Sequence, residues 1–350
     1  MTYAPQEAGF YYGTSKGSLT KEVYYDGTIT TASGSFSASV MSLSSGTTYY
    51  YQAFMSVWTG SKYETILGDV KNFSTTEPVN VGKGYLNCLE VPAVAFDNTG
   101  GSGAEDSGRG YKWYRYNTTN AKRAVVTHTY QDGNKVIRNY TVMLDGDKKA
   151  PVWTAHAMHA EMWPDNNEGR NNNWNKDPAF EDSWQQTGVS GGYSKGHLVA
   201  SNYRQSSSEQ NKQTFYYSNQ APQWQNGFNG GIWSTLEGKV KSASPTGRDT
   251  LYVVTGTLYE GTARYQDDIQ LPSHFYKCVM KCSFDASGTM TAAQGVAYVF
   301  TNESHTGAQL DSFKTTIDAI ETRAGFDFFP RVPSNLQTAA ENGSSPLSLE

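Results

Sequence analysis

Apolar and polar residues alternate in short runs along the first part of the chain. Phe36-Ser37-Ala38-Ser39-Val40 keeps a period of two, much of Tyr49 to Val57 does the same, and Gly/Ser clusters break the runs. That period puts alternate side chains on one face of a strand, so residues 1–77 predict a small all-β sandwich of short strands. Glu77-Pro78-Val79-Asn80-Val81-Gly82 is rich in breakers and predicts a linker over 78–84. Beyond it the pattern is mixed. Ala124–Tyr130, Arg138–Leu144, Val152–Ala157, Thr250–Gly256 and His274–Cys282 predict strands. Trp233, Leu236 and Val240 recur at helical spacing in a helix beginning near Gly230, and Ile317 and Ile320 do so between Thr316 and Arg323. Residues 85–333 therefore predict one larger α+β domain with a mixed β-sheet core. The Gly/Ser-rich stretch Asp97–Gly110 predicts a flexible insertion, and 334–350 a disordered tail whose final Leu349-Glu350 reads as a cloning remnant.

Composition narrows the classes. Of 350 residues, 13% are aromatic, enough for sizeable cores, and 17% are charged, too few for a coiled coil or a charge-driven disordered chain. No apolar stretch approaches the ~18–20 residues of a membrane-spanning helix. The net charge of −5 excludes a protein coated in positive charge for indiscriminate polyanion binding, but not a local basic cleft. Cys88, Cys278 and Cys282 lack metal-site spacing. Cys278 and Cys282 lie roughly 13 Å apart if their run is a strand, so Cys88 could pair with either. The chain starts in polar sequence, and a leader removed upstream is expected.

The chemistry concentrates between Glu168 and Lys241. Tyr193-Ser194-Lys195-Gly196-His197 sets an imidazole after a glycine and beside a cation. With an ordinary pKa of ~6.5 it suits proton transfer near neutrality, although a Gly-His pair alone fits a structural histidine better. Downstream runs Asn229-Gly230-Gly231-Ile232-Trp233-Ser234-Thr235-Leu236-Glu237, then Lys241; upstream, Gly169-Arg170-Asn171-Asn172-Asn173-Trp174-Asn175-Lys176-Asp177-Pro178.

Together these resemble the DNA/RNA non-specific endonucleases, a ββα-metal family that includes endonuclease G. The family's Asp-Arg-Gly-His is similar to Ser194-Lys195-Gly196-His197, and its Asn and Glu eight residues apart to Asn229 and Glu237. The likeness continues in order from Leu89-Glu90-Val91-Pro92-Ala93 to Ile320-Glu321-Thr322-Arg323-Ala324-Gly325-Phe326. It implies His197 as general base, Asn229 as ligand of Mg²⁺ (or Mn²⁺), and Arg170 on the phosphoryl charge. It also implies Lys195, Lys241 and Asn219 as substrate-binding residues, and 5′-phosphate products from DNA and RNA alike. If Asn229 and Glu237 shared one helix they would stand ~12 Å apart along it, so Glu237 fits a role orienting water around the ion better than direct ligation. Pairing with Lys241 is compatible with that role. Ser194 in place of Asp removes a carboxylate, and Lys195 in place of Arg removes a planar fork.

In the first domain, Leu43-Ser44-Ser45-Gly46-Thr47-Thr48-Tyr49 resembles the tyrosine corner of fibronectin type III domains, whose opening strand is missing or truncated here. Residues 170–241 carry two more basic than acidic side chains, so modest, salt-sensitive affinity for nucleic acid is expected. The rival reading is a catalytically weakened relative serving as a surface binding or adhesion module, motivated by Ser194 and the β-sandwich. A nuclease endangers its own cell, so an extracytoplasmic location is expected: periplasmic, surface-anchored or secreted.

Overall fold

The computed structural model describes residues 5–25, 36–38, 40, 48–74, 88–96, 102–106, 111–132, 135–164, 166 and 168–349. The linker expected at 78–84 and the tyrosine corner before Thr48 lie outside them. The chain divides into two compact units, residues 1–80 and 81–350.

The first unit holds β1 (Pro5–Gly13), β2 (Lys21–Tyr24), β3 (Thr48–Trp58) and β4 (Tyr63–Ser74). They form one antiparallel sheet in the order β2-β1-β3-β4. The alternation around Tyr49–Val57 becomes β3, where Tyr49 and Phe54 are buried and Phe54 stacks on Tyr11 at 4.4 Å. Gly9 faces that ring so closely that any Cβ would collide with it. The expected strand at Phe36–Val40 is not regular at its described positions.

The second unit is built on a nine-stranded sheet whose neighbours all pair antiparallel, rather than on the mixed sheet expected. Its strands in chain order are β5 (Ser102–Asp106), β6 (Tyr111–Asn117), β7 (Arg123–Asp132), β8 (Lys135–Asp145) and β9 (Ala150–Met158). After a separate ribbon of β10 (Tyr193–His197) and β11 (Gln220–Trp224) comes β12 (Thr250–Leu258). A short hairpin, β13 (Arg264–Gln266) with β14 (Ile269–Leu271), precedes β15 (His274–Phe284), β16 (Met290–Thr301) and β17 (Lys314–Thr315). Sheet order is β17-β16-β15-β12-β9-β8-β7-β6-β5. Among the described residues four α-helices complete the unit: α1 (Ser208–Gln213), α2 (Ser234–Ser242), α3 (Ile317–Ala324) and α4 (Ser334–Glu341). None of the described helices is long and apolar enough to cross a membrane.

The five strands expected in this unit form β7, β8, β9, β12 and β15, and both predicted helices form as well. In α2, Trp233 just before it, Leu236 and Val240 are fully buried against Val253, Phe275 and Val279 of the sheet. In α3, Ile317 and Ile320 pack on the opposite face with Trp153, Val254 and Met280. Thr316 caps α3 by accepting from Ala319 N, and Gly325 ends it at φ 73°. Cys88, Cys278 and Cys282 are all free, the last two buried on β15.

Two expectations are corrected. Part of the supposed flexible insertion, Ser102–Asp106, is the edge strand β5, paired with β6. The supposed disordered tail is ordered. It forms α4, then runs beside β16, where Gly295 N donates to Ser345 O and Leu347 N to Gly295 O. Gly295 allows this because a Cβ there would strike the Ala340 carbonyl, and Leu347 and Leu349 gain burial.

Candidate active site

The site grows from the ribbon. His197 pairs opposite Gln220 and Ser194 opposite Gln223, and the chain then passes through an irregular turn, Gln225–Trp233, into α2. Two antiparallel strands and a helix result, the ββα arrangement. Gly196 is demanded by packing, because the Gln223 side chain lies where its Cβ would be. Pleating puts Lys195 and His197 on one side of β10 and Ser194 on the other.

His197 is 8% exposed, with its ring 4.7 Å from Trp174 and edge-on to Phe215 at 4.8 Å. Its buried Nε2 makes no hydrogen bond. Burial, and then the neighbouring Arg170 cation, hold the imidazole down at about 3, so it is neutral at physiological pH. His128 differs: its Nε2 is bonded to Asp177 Oδ2 at 2.9 Å, and its ring lies between Tyr140 and Tyr216. One histidine is satisfied by a carboxylate; the other keeps a nitrogen unspent.

Arg170 sits in an exposed loop with its guanidinium 5.0 Å from the centre of Phe215 and its Nε donating to Asn172 Oδ1. Asn211 anchors that loop. Its Oδ1 accepts from Asn171 N at 2.9 Å while its Nδ2 donates to Ser201 O and Arg204 O, and it is fully buried. Glu237, in the first turn of α2, is raised by burial and drawn back by Lys277 and Arg170. Arg170 thus acts electrostatically on both His197 and Glu237. Lys195 lies over Trp174 and Tyr217, and Trp174 also flanks the ring of His197.

Asn229 falls in the turn, not on α2. Asn226, Gly227 (φ 75°), Gly230 and Gly231 all leave helical geometry, so Asn229 and Glu237 do not share an uninterrupted helix. Asn229 Nδ2 donates to Ser194 Oγ at 2.7 Å and to Gln225 Oε1 at 3.1 Å, and its Oδ1 makes no hydrogen bond among the described residues. One unspent, hard, neutral oxygen suits a divalent ion that keeps most of its own waters. The donor set therefore fits the implied cation.

Asn219 is a correction. It was expected to contact substrate, but it is fully buried, and its amide is occupied by Val199 N, Val199 O and Thr214 O. It fixes the backbone just after His197. Lys241 lies in the last turn of α2, one turn past Glu237, lining a cavity of about 110 Å³ with Trp163, Asn202 and Tyr203.

Sequence reading missed Lys277. It is fully buried on β15, donates to Thr255 Oγ1 at 2.8 Å, and lies 4.8 Å from the Trp233 ring centre. Burial lowers its pKa while Glu237 acts against that. A signal was present, since Lys277 interrupts an apolar run that leaves it no solvent face. Also missed were Asn211 and a carboxylate cluster of Asp318, Glu321 and Glu341 on α3 and α4, away from the ribbon.

The sequence resembles those of known nucleases. The family model for DNA/RNA non-specific endonucleases matches residues 118–335. A nuclease from Nostoc sp. is 26% identical over 64% of this chain and 83% of its own length. The mitochondrial endonuclease G of Caenorhabditis elegans is 29% identical over 45% of this chain and 53% of its own. A chain in the crystal structure of the EndoG/EndoGI complex superposes with a TM-score of 0.47 at 23% identity, covering 59% of this chain and 88% of that one.

Proposed function

The chain belongs to the DNA/RNA non-specific endonuclease family, a nucleic-acid-hydrolysing enzyme, and from that premise we propose that it cleaves phosphodiester bonds of both DNA and RNA with a divalent cation, Mg²⁺ or Mn²⁺, on Asn229. The observation that carries this reading is the pair of unspent atoms on one ββα frame: the buried Nε2 of His197 and the Oδ1 of Asn229.

When bound, the cation supplies charge neutralisation at the phosphoryl and leaving oxygens. The remaining steps belong to the side chains. His197, neutral in the free protein, accepts the proton of the attacking water. Burial is the larger cause of its low basicity; the arriving phosphate offsets the second, the Arg170 cation, and so raises it in part. Arg170 meets the charge building on the phosphoryl group with a planar fork, and the Phe215 face keeps that fork in place. Glu237 orients water from the first turn of α2. Lys195 and Lys241 take neighbouring phosphates, which carry no base identity, so sequence preference is weak. The leaving oxygen takes a proton from a water that Glu237 orients and departs as the 3′-hydroxyl, and the phosphate stays on the 5′ end. The same chemistry needs no 2′-hydroxyl. We place this action outside the cytoplasm, where an unrestrained nuclease spares its own cell.

Digestion of plasmid DNA and of RNA tests the reading. Cleavage with Mg²⁺, lost with EDTA and lost in His197→Ala, supports it. Cleavage that survives both, or no cleavage by the parent protein in any divalent cation, overturns it.

A further inference from the structure

We propose that Ser194 is a positioning residue: it sets which way the Asn229 amide faces and so leaves Oδ1 as the atom turned to the cation. The inference rests on the reading of Asn229 as a cation ligand and adds a residue to that site. A serine hydroxyl has one proton. Here it goes to the backbone carbonyl of Gln223 at 3.2 Å, a group that can only accept. What Ser194 Oγ presents to Asn229, 2.7 Å away, is therefore a lone pair, and only an N–H can meet it at that distance. The second hydrogen of the same Nδ2 goes to Gln225 Oε1 at 3.1 Å. Inverting the amide would require the Ser194 proton to leave Gln223 O and the Gln225 amide to invert with it, giving up the Ser194–Gln223 hydrogen bond.

The serine itself cannot drift. Ser194 lies opposite Gln223 in the β10–β11 ribbon, and the buried Gln223 side chain fills the space over Gly196, two residues on. Gln223 O, Ser194 Oγ and Asn229 Nδ2 thus form a relay that runs in one direction, from the rigid ribbon to the otherwise irregular turn carrying Asn229. Serine also explains how the site keeps its geometry without the carboxylate that the family pattern places here. A carboxylate would accept the same N–H, but it would add a negative charge beside the ion. Ser194 performs the orienting task and leaves the attraction weaker.

The test measures Mn²⁺ binding directly, by electron paramagnetic resonance of the free ion. It uses the full chain carrying His197→Ala, so turnover does not enter. Ser194→Thr and Ser194→Val have the same shape and differ only in the hydroxyl, and thermal melts confirm that both fold. Thr is expected to bind Mn²⁺ like the parent, and Val to bind about ten- to a hundredfold more weakly, the usual effect of losing a group that orients a metal ligand. Ser194→Asp is expected to bind more tightly than the parent. Equal Mn²⁺ affinity in the Thr and Val variants, with Asn229→Ala still losing the ion, overturns the role of Ser194 and leaves Asn229 as ligand. Undiminished binding in Asn229→Ala overturns the reading of Asn229 itself.

Discussion

The two faces of the nine-stranded sheet are buried by different chemistry. Under α3 and α4, Val125, Met143, Trp153, Val254 and Met280 meet Ile317, Ile320, Phe328 and Phe329. On that side Arg138 pairs with Glu90, while Asp318, Glu321 and Glu341 of α3 and α4 cluster with one another. Under α2 and the ribbon, the apolar residues Val253, Phe275 and Val279 share the face with Lys277, His156, Thr154 and Thr255. Neither ring nitrogen of His156 has a partner, and Lys277 has a hydroxyl and aromatic faces rather than a carboxylate in contact. Such groups are expensive to bury and weak evidence for stability. Lys277 acts on Glu237, and that gives it a different meaning. One face holds the sheet together, and the other sets the electrostatics of the site.

That contrast is breakable at single residues. The largest effect is expected for His197→Ala, which should lower kcat on plasmid DNA by about 10²–10⁴-fold, the range a general base contributes, with little change in melting temperature. On the opposite face, Met280→Ala should cost about 2–5 kcal/mol in denaturant unfolding while leaving kcat per folded molecule unchanged. Lys277→Met should reverse that signature. Stability should change little, because Glu237, left without its countercharge, takes up a proton instead of remaining a buried, unpaired anion. Activity should fall about tenfold, because Glu237 loses the cation that favours its ionised form. A Lys277→Met protein that unfolds readily but turns over normally would erase the distinction between the faces.

The pH dependence sharpens it further. An imidazole held at about 3 is already a base at pH 5, so kcat/KM should show no acid limb near 6.5 due to His197. For stability the sign follows from the depressed value. The unfolded chain takes up a proton near 6.5 and the folded chain not until about 3, so stability is lost as pH falls through that window. His197→Gln should lose less over the same range in urea titrations. The smallest effect expected is that of salt: KM for DNA should rise with ionic strength, since the exposed basic residues of the site are few.

Much of this architecture was legible because periodicity reports burial. The stripe of Trp233, Leu236 and Val240 gave away α2, and the apolar runs gave away β12 and β15. The site residues were legible through a family pattern rather than through physics, since nothing local distinguishes Arg170 from a solvated loop arginine. What was hidden depends on contacts distant in sequence. The Ser194–Asn229 hydrogen bond spans 35 positions, and the burial of Asn219 depends on Val199, 20 positions away. The tail misled because Ser, Gly and Asn look disordered until Gly295 opens a place on β16 for them. The helix expected from near Gly230 starts only at Ser234, because Gly230 and Gly231 leave helical geometry although the apolar spacing runs on past them.

The central claim is that the Asn229 amide and the His197 ring serve one phosphodiester. Anomalous diffraction from crystals grown with Mn²⁺ and a short DNA duplex tests it most directly. The result expected is a manganese peak about 2.1 Å from Asn229 Oδ1 that also touches a backbone phosphate, with the His197 ring facing the same phosphorus across one water. A peak bound elsewhere, for instance among Asp318, Glu321 and Glu341, or a phosphate seated at the ion with His197 turned to a separate pocket, would contradict it.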